Sequence, residues 1–169
     1  MKRYDLVIIN RSFWPTGMTI GESLLQLGEK TVHDGKSTVV ITQSSKNLKK
    51  ITKESGRGSG IIFKTCVPRS NSSTKLYYRI FDVLIFMFWV VRNLILTRPK
   101  NIYVSTDPPL LVPFVVFLYS KISGSSYIYH LQDIHPEVTK TVIKLNPMLF
   151  AFFKKIDNLV IRNASSIIT

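Results

Sequence analysis

Between Tyr127 and Glu137 the sequence reads YIYHLQDIHPE, and the stretch from His130 onward gathers two imidazoles, two carboxylates and an amide. Side chains of these types can ligate a metal, move a proton for a reacting hydroxyl, or stabilise a turn. The metal reading fits the pattern least. His130, Asp133, His135 and Glu137 match neither an HExxH helix nor a cysteine-based spacing, so no metal is expected. Two readings stay open. In one, the segment is a catalytic or binding loop; in the other, His130 is a hydrogen-bonded core histidine and Asp133 a turn acceptor.

Two further segments have chemical potential. In FWPTGMTIGE, Gly17 stands just before a predicted helix, where free amide N–H groups and the helix dipole favour a phosphate. The segment has neither the GxGxxG of a dinucleotide fold nor the GK[ST] of a P-loop, so a plain strand-to-helix turn fits it as well. Trp14 and Thr16, on the same loop, are candidates to line a crevice. In STDPPLLVP, Pro108 or Pro109 fixes a helix start, while Thr106 and Asp107 present polar groups at a strand's end.

These loops need elements to hold them. Continuous β-rich runs predict strands at Tyr4–Asn10, Ser37–Thr42, Ile61–Val67, Asn101–Ser105 and Tyr127–Leu131, with a sixth starting in SSIIT. Helices are predicted over Ile20–Asp34, with Thr19 as cap and Gly35 as stop, then over Thr74–Thr97, Leu110–Ile122 and Pro147–Asn163. Gln43–Ser59, rich in Lys, Ser and Gly, reads as a mobile basic loop. Alternating strands and helices predict an α/β fold, a Rossmann-like, mostly parallel sheet with helices on both faces. In such sheets the ligand crevice lies beyond the C-terminal ends of the strands, at the topological switch point. The loops after the first, fourth and fifth strands should converge there. The chain closes on an apparent strand without a covering helix, so the expectation is the front part of something larger.

Composition narrows the partners. With 169 residues the chain has the size of one domain, and 23 basic against 10 acidic residues give +13, which attracts anionic partners. The Lys46–Lys64 segment lacks interleaved aromatics and any recognition motif, so no nucleic acid is expected. A lone cysteine, Cys66, and a start without a signal-peptide pattern indicate the cytoplasm. The apolar run from Ile80 is interrupted by Asp82 and Arg92, leaving Val83–Val91 too short to span a bilayer. A helix apolar all round can instead lie part-buried in the core and part-pressed against an anionic membrane surface.

On FWPTGMTIGESLLQLGEKTVHDGKSTVVIT, NIYVSTDPPLLVPFVVFLYSKISGSSYIYHLQDIHPE and the closing IDNLVIRNASSIIT, the sequence resembles the N-terminal domain of bacterial family 4 glycosyltransferases of the surface-polysaccharide type. The resemblance covers nearly the whole chain. It implies one Rossmann-like half of a GT-B enzyme that transfers a sugar, with retention, from a nucleotide diphosphate sugar to a polyprenyl-linked or glycan acceptor. No other cofactor is implied. Gly17 matches the loop glycine that approaches the donor diphosphate, and Asp133 falls where the family places an active-site polar residue, as base or sugar-hydroxyl anchor. Trp14, Thr16, Thr106, Asp107, His130, His135 and Glu137 are the implied lining of the acceptor site. The family's donor-binding C-terminal domain has no counterpart in this sequence, so a possible separate donor domain is an expected partner. The isolated chain is then expected to be inactive and peripheral on the inner face of the cytoplasmic membrane. The alternative is a non-catalytic membrane-associated remnant or accessory module.

Overall fold

A computed structural model describes residues 3–70, 74–132 and 146–169. Its strands are β1 (Leu6–Ile9), β2 (Thr38–Gln43), β3 (Ile62–Cys66), β4 (Asn101–Ser105), β5 (Ser126–His130) and β6 (Ser166–Ile168). They form one sheet in the order β3-β2-β1-β4-β5-β6, every pair parallel. The chain builds outward from β1 to β3, then returns to the other side of β1 to lay down β4. That reversal puts the switch point between β1 and β4, which pair from Leu6↔Asn101 to Ile9↔Val104.

Residues alternate between two apolar layers because successive strand side chains point to opposite faces. Val7, Ile9, Val39, Ile41, Ile102, Val104, Tyr127 and Tyr129 face helices α3 (Leu76–Thr97), α4 (Leu111–Ser123) and α5 (Pro147–Asn163), which contribute Phe86, Val90, Leu94, Val112, Val116 and Val160. Ile8, Val40 and Tyr103 face α1 (Met18–His33), which contributes Leu24 and Leu25, and α2 (Leu48–Glu54), which contributes Leu48. Buried from both sides, the central strands are the uninterrupted Val/Ile runs the sequence shows.

Three local expectations change. Met18, not Ile20, opens α1; Gly17 is the N-cap and no side chain caps it, so Thr19 has no capping role. Gly35, with φ +75°, does end the helix, just beyond the cap residue Asp34. The segment expected to be a mobile basic loop contains α2, a seven-residue helix whose N-cap Asn47 accepts a hydrogen bond from the Lys50 amide. Arg57 in the following turn is not a free cation, since it donates to Glu22 and Glu29 of α1 at 2.8 Å each, while Glu29 also accepts the Gly58 amide.

The aromatic helix α3 is long and apolar enough to cross a membrane by length and composition. One face of it packs on the sheet. Asp82, Phe86, Val90, Asn93 and Thr97, on its inner face, are buried, whereas Tyr77, Phe81, Phe88 and Ile95 on the opposite face are each more than half exposed. Arg92 on that outer face lies 5.4 Å from the Trp89 ring.

Candidate functional site

The switch point is held by polar groups that connect β1 to β4. Ser105 Oγ donates to Asn10 Oδ1, and Asn10 Nδ2 donates to the Ser12 carbonyl. The Asp107 carboxylate accepts from the Ser12 amide at 3.1 Å and from Ser12 Oγ at 2.7 Å, while the Arg11 amide donates to the Asp107 carbonyl at 2.9 Å. The loop after β1 is thus fastened to the loop after β4. Two X-Pro bonds in these loops, Trp14–Pro15 and Asp107–Pro108, are cis.

Above this seam the N-terminus of α1 opens into a cavity of about 480 Å³, lined by Asn10, Ser12, Gly17, Thr19, Ile20, Gly21, Thr106, Asp107, Pro109 and Gln132. With no side-chain cap and no acidic residue in the first turn, α1 leaves its first amides available to an anion. Gly21 brings the helix this close: a Cβ there would stand 2.4 Å from the Trp14 amide nitrogen. Only a residue without a side chain lets α1 lie against the loop.

At the end of β5, Thr106 joins two strands. Its amide donates to the His130 carbonyl at 3.2 Å, and its hydroxyl accepts the Gln132 amide at 3.2 Å. Two polar atoms here are buried without a partner among the described residues, His130 Nδ1 and Gln132 Nε2. Burial holds the His130 pKa below the ordinary imidazole value, so the ring stays neutral at pH 7. The ring meets Tyr103 edge-on at 5.7 Å.

The residues expected to form the site are therefore only partly brought together. Gly17, Thr106 and Asp107 share the cavity wall. Thr16 lines a neighbouring cavity. Trp14 is half-buried against the α1-side core and lines neither. His130, partly buried, lies beside the cavity and not on its wall, and its Nδ1 has no hydrogen-bond partner among the described residues. Asp133, His135 and Glu137 lie outside the described residues. Among the described residues no cluster of His, Cys, Asp or Glu is arranged to hold a metal.

Sequence reasoning gave no site role to Asn10, Arg11, Ser12, Ser105, Gln132 and Asp82. The last had a signal. Noted only as an interruption of an apolar run, Asp82 is fully buried, and its carboxylate accepts from Arg11 Nη2 at 3.1 Å, Gln43 Nε2 at 3.2 Å, the Arg69 amide at 3.0 Å and Ser70 Oγ at 2.9 Å. A carboxylate inside an apolar helix needs such partners, because burying it unpaired costs several kcal/mol.

No family model and no curated protein matches the sequence. Among solved structures the chain is similar to MurG of Acinetobacter baumannii, with a TM-score of 0.52 at 10% identity. The similarity covers 98% of this chain and 40% of that one. At this identity it establishes the fold: a Rossmann-like α/β half of the GT-B architecture, in agreement with the six-stranded parallel sheet.

Proposed function

We propose that this chain is the acceptor-side half of a membrane-associated glycosyltransferase. One observation carries the reading: the cavity at the switch point of a GT-B half domain combines an uncapped helix N-terminus with hydroxyl, carboxylate and amide groups from the ends of β1, β4 and β5. The first supplies an anion site, and the second supplies hydrogen bonds for sugar hydroxyls.

In this proposal the free amides of the first turn of α1, which starts just after Gly17, meet the diphosphate of a nucleotide diphosphate sugar, while the Gly17 amide stays bonded to the Phe13 carbonyl. Thr106, Asp107 and Gln132 orient the acceptor, and Gln132 Nε2, the orphaned polar atom whose residue lines the cavity, gains a partner when it binds. The acceptor hydroxyl attacks the sugar's anomeric carbon, the bond to the diphosphate breaks, and the hydroxyl proton passes to a base. Asp133, with His135 and Glu137 nearby in sequence, is the residue we assign to that base or to anchoring the sugar. Retention of anomeric configuration, a polyprenyl-linked or polysaccharide acceptor, and a role in surface-polysaccharide assembly follow the sequence resemblance. A separate domain supplies most of the donor site, and the donor sugar is the co-substrate without a further cofactor.

The membrane contact is proposed for the outer surface of α3, α4 and α5. Phe81 and Phe88 of α3, Leu118 and Ile122 of α4, and Met148 and Phe152 of α5 are exposed there, with Arg92, Lys121 and Lys155 among them. The basic segment around α2 is not part of this surface, because α2 packs on the opposite face of the sheet.

The test is a pair of measurements on the 169-residue chain. It is expected to bind a polyprenyl-diphosphate-linked sugar in detergent and to transfer nothing from any sugar nucleotide until a donor domain is added. In a complete two-domain enzyme carrying this half, Asp133→Ala should lower turnover at least 100-fold, of the order a lost general base costs. Transfer by the chain alone would overturn the proposal, and absence of acceptor binding would leave the accessory-module reading.

A further inference from the structure

On the far side of the Ser12–Gly17 loop from the main cavity lies a second one of about 250 Å³, sized for a single sugar ring. Its wall includes Arg11, Thr16, Gln43, Ser44 and Ser45, and among the described residues no acidic one lines it. We propose that this cavity is a separate subsite for an anionic sugar, one whose ring carries a carboxylate or a phosphate, with Arg11 as the binding residue.

Arg11 is set as a binding group, and its position is fixed from four directions. Its amide donates to Asp107 and its carbonyl accepts from the Gln43 amide at 3.0 Å and from Thr42 Oγ1 at 2.9 Å. Its Nε donates to Gln43 Oε1 at 2.6 Å, and its Nη2 donates to the fully buried Asp82 at 3.1 Å. Those two bonds use one edge of a guanidinium that has five N–H donors. The remaining donors have no partner among the described residues, and the side chain is 27% exposed. A fork held in place loses little entropy when it binds, and its geometry suits the two oxygens of a carboxylate or phosphate.

Charge and hydroxyls set the specificity. Asp82 balances Arg11, but Arg69, whose amide also bonds Asp82, has an exposed side chain, so the cluster is positive by about one charge. The main cavity has Asp107 on its wall and lacks this bias. Thr16 and Ser45 have exposed hydroxyls that no described residue engages, placed to meet the hydroxyls of the ring. Beside the proposed acceptor crevice, such a subsite would select an acidic sugar in the acceptor, and in that respect it rests on the acceptor-side reading.

The experiment is amide-shift NMR on the ¹⁵N-labelled chain, titrated separately with glucuronate, glucose 6-phosphate and glucose. At least one charged sugar is expected to shift the Thr16, Ser44 and Ser45 amides and to bind about tenfold more tightly than glucose. The tighter of the two charged sugars identifies the group as carboxylate or phosphate. Arg11→Lys keeps the charge and loses the fork, and should weaken that binding about tenfold while Ser45→Ala weakens it two- to threefold. Equal binding of glucose, shifts confined to other regions, or unchanged affinity in a folded Arg11→Lys chain would overturn the proposal. If Arg11→Lys does not fold, the wild-type shift map and Ser45→Ala decide. Since no transfer is read, charged sugars that bind while a lipid-linked acceptor does not would sink only the acceptor-side reading.

Discussion

His130 shows how a residue can be legible in type but not in role. Its position at a strand end was readable, yet an imidazole there serves equally as ligand, base or core filler, and only burial separates them. Its Nδ1 has no partner among the described residues and its pKa is held down by burial. An unfolded chain takes up a proton near the ordinary value of 6.5, whereas the folded chain resists it. The stability this provides is therefore present above that value and is lost as pH falls through it toward the lower folded value. The thermal midpoint should drop between about pH 7.5 and 5.5, and His130→Phe, which keeps the packing on Tyr103, should flatten that part of the profile. An unchanged slope in the variant would mean that other groups set the acid sensitivity. Asp82 was legible only as a break in hydrophobicity, because its partners come from the ends of three different strands, at Arg11 after β1, Gln43 of β2 and Arg69 after β3.

Elements were read best where one signal dominated. Asn101–Ser105 and Pro147–Asn163 have the boundaries expected from a β-rich run and from proline at a first helical turn. The short helix α2 escaped because its stability is tertiary: one buried leucine, Leu48, and one cap outweigh a lysine-rich sequence with no sustained period. The approach of α1 to the loop after β1 was likewise invisible, since Gly21 and Gly28 look alike in sequence. They differ in what surrounds them. A Cβ at Gly21 would meet backbone, 2.4 Å from the Trp14 nitrogen and 2.8 Å from the Phe13 carbonyl carbon, whereas at Gly28 the nearest atom is the tip of Ile61 at 2.8 Å. Gly21→Ala should cost about 1–3 kcal/mol in denaturant unfolding and push α1 away from the cavity. Gly28→Ala should stay within about 1 kcal/mol of wild type, because improved helix propensity offsets a small side-chain shift. Equal effects would show that the loop yields as easily as the isoleucine.

For the whole molecule, the two faces of the sheet have separate duties. The layer of α3, α4 and α5 presents aromatics among cations, and α2 presents its lysines on the other side. Binding to anionic vesicles, read by co-sedimentation, should weaken as salt rises and fall several-fold in Phe81→Ser/Phe88→Ser. Lys49→Gln/Lys50→Gln/Lys53→Gln should change it little; a larger loss there would assign docking to the α2 side. The seam that joins β1 to β4 carries a last consequence, one of folding kinetics. Its bonds, Ser105 to Asn10 and Ser12 to Asp107, each close across 95 residues of chain. Contacts of such sequence separation form late, after the entropy of a long loop has been lost, and they are not found in a fragment lacking either strand. As the ribosome releases the chain, β1, β2 and β3 can assemble first with one wall of the crevice only. The cavity comes into being when β4 inserts beside β1, so the protein cannot be partly built and already able to hold its ligand.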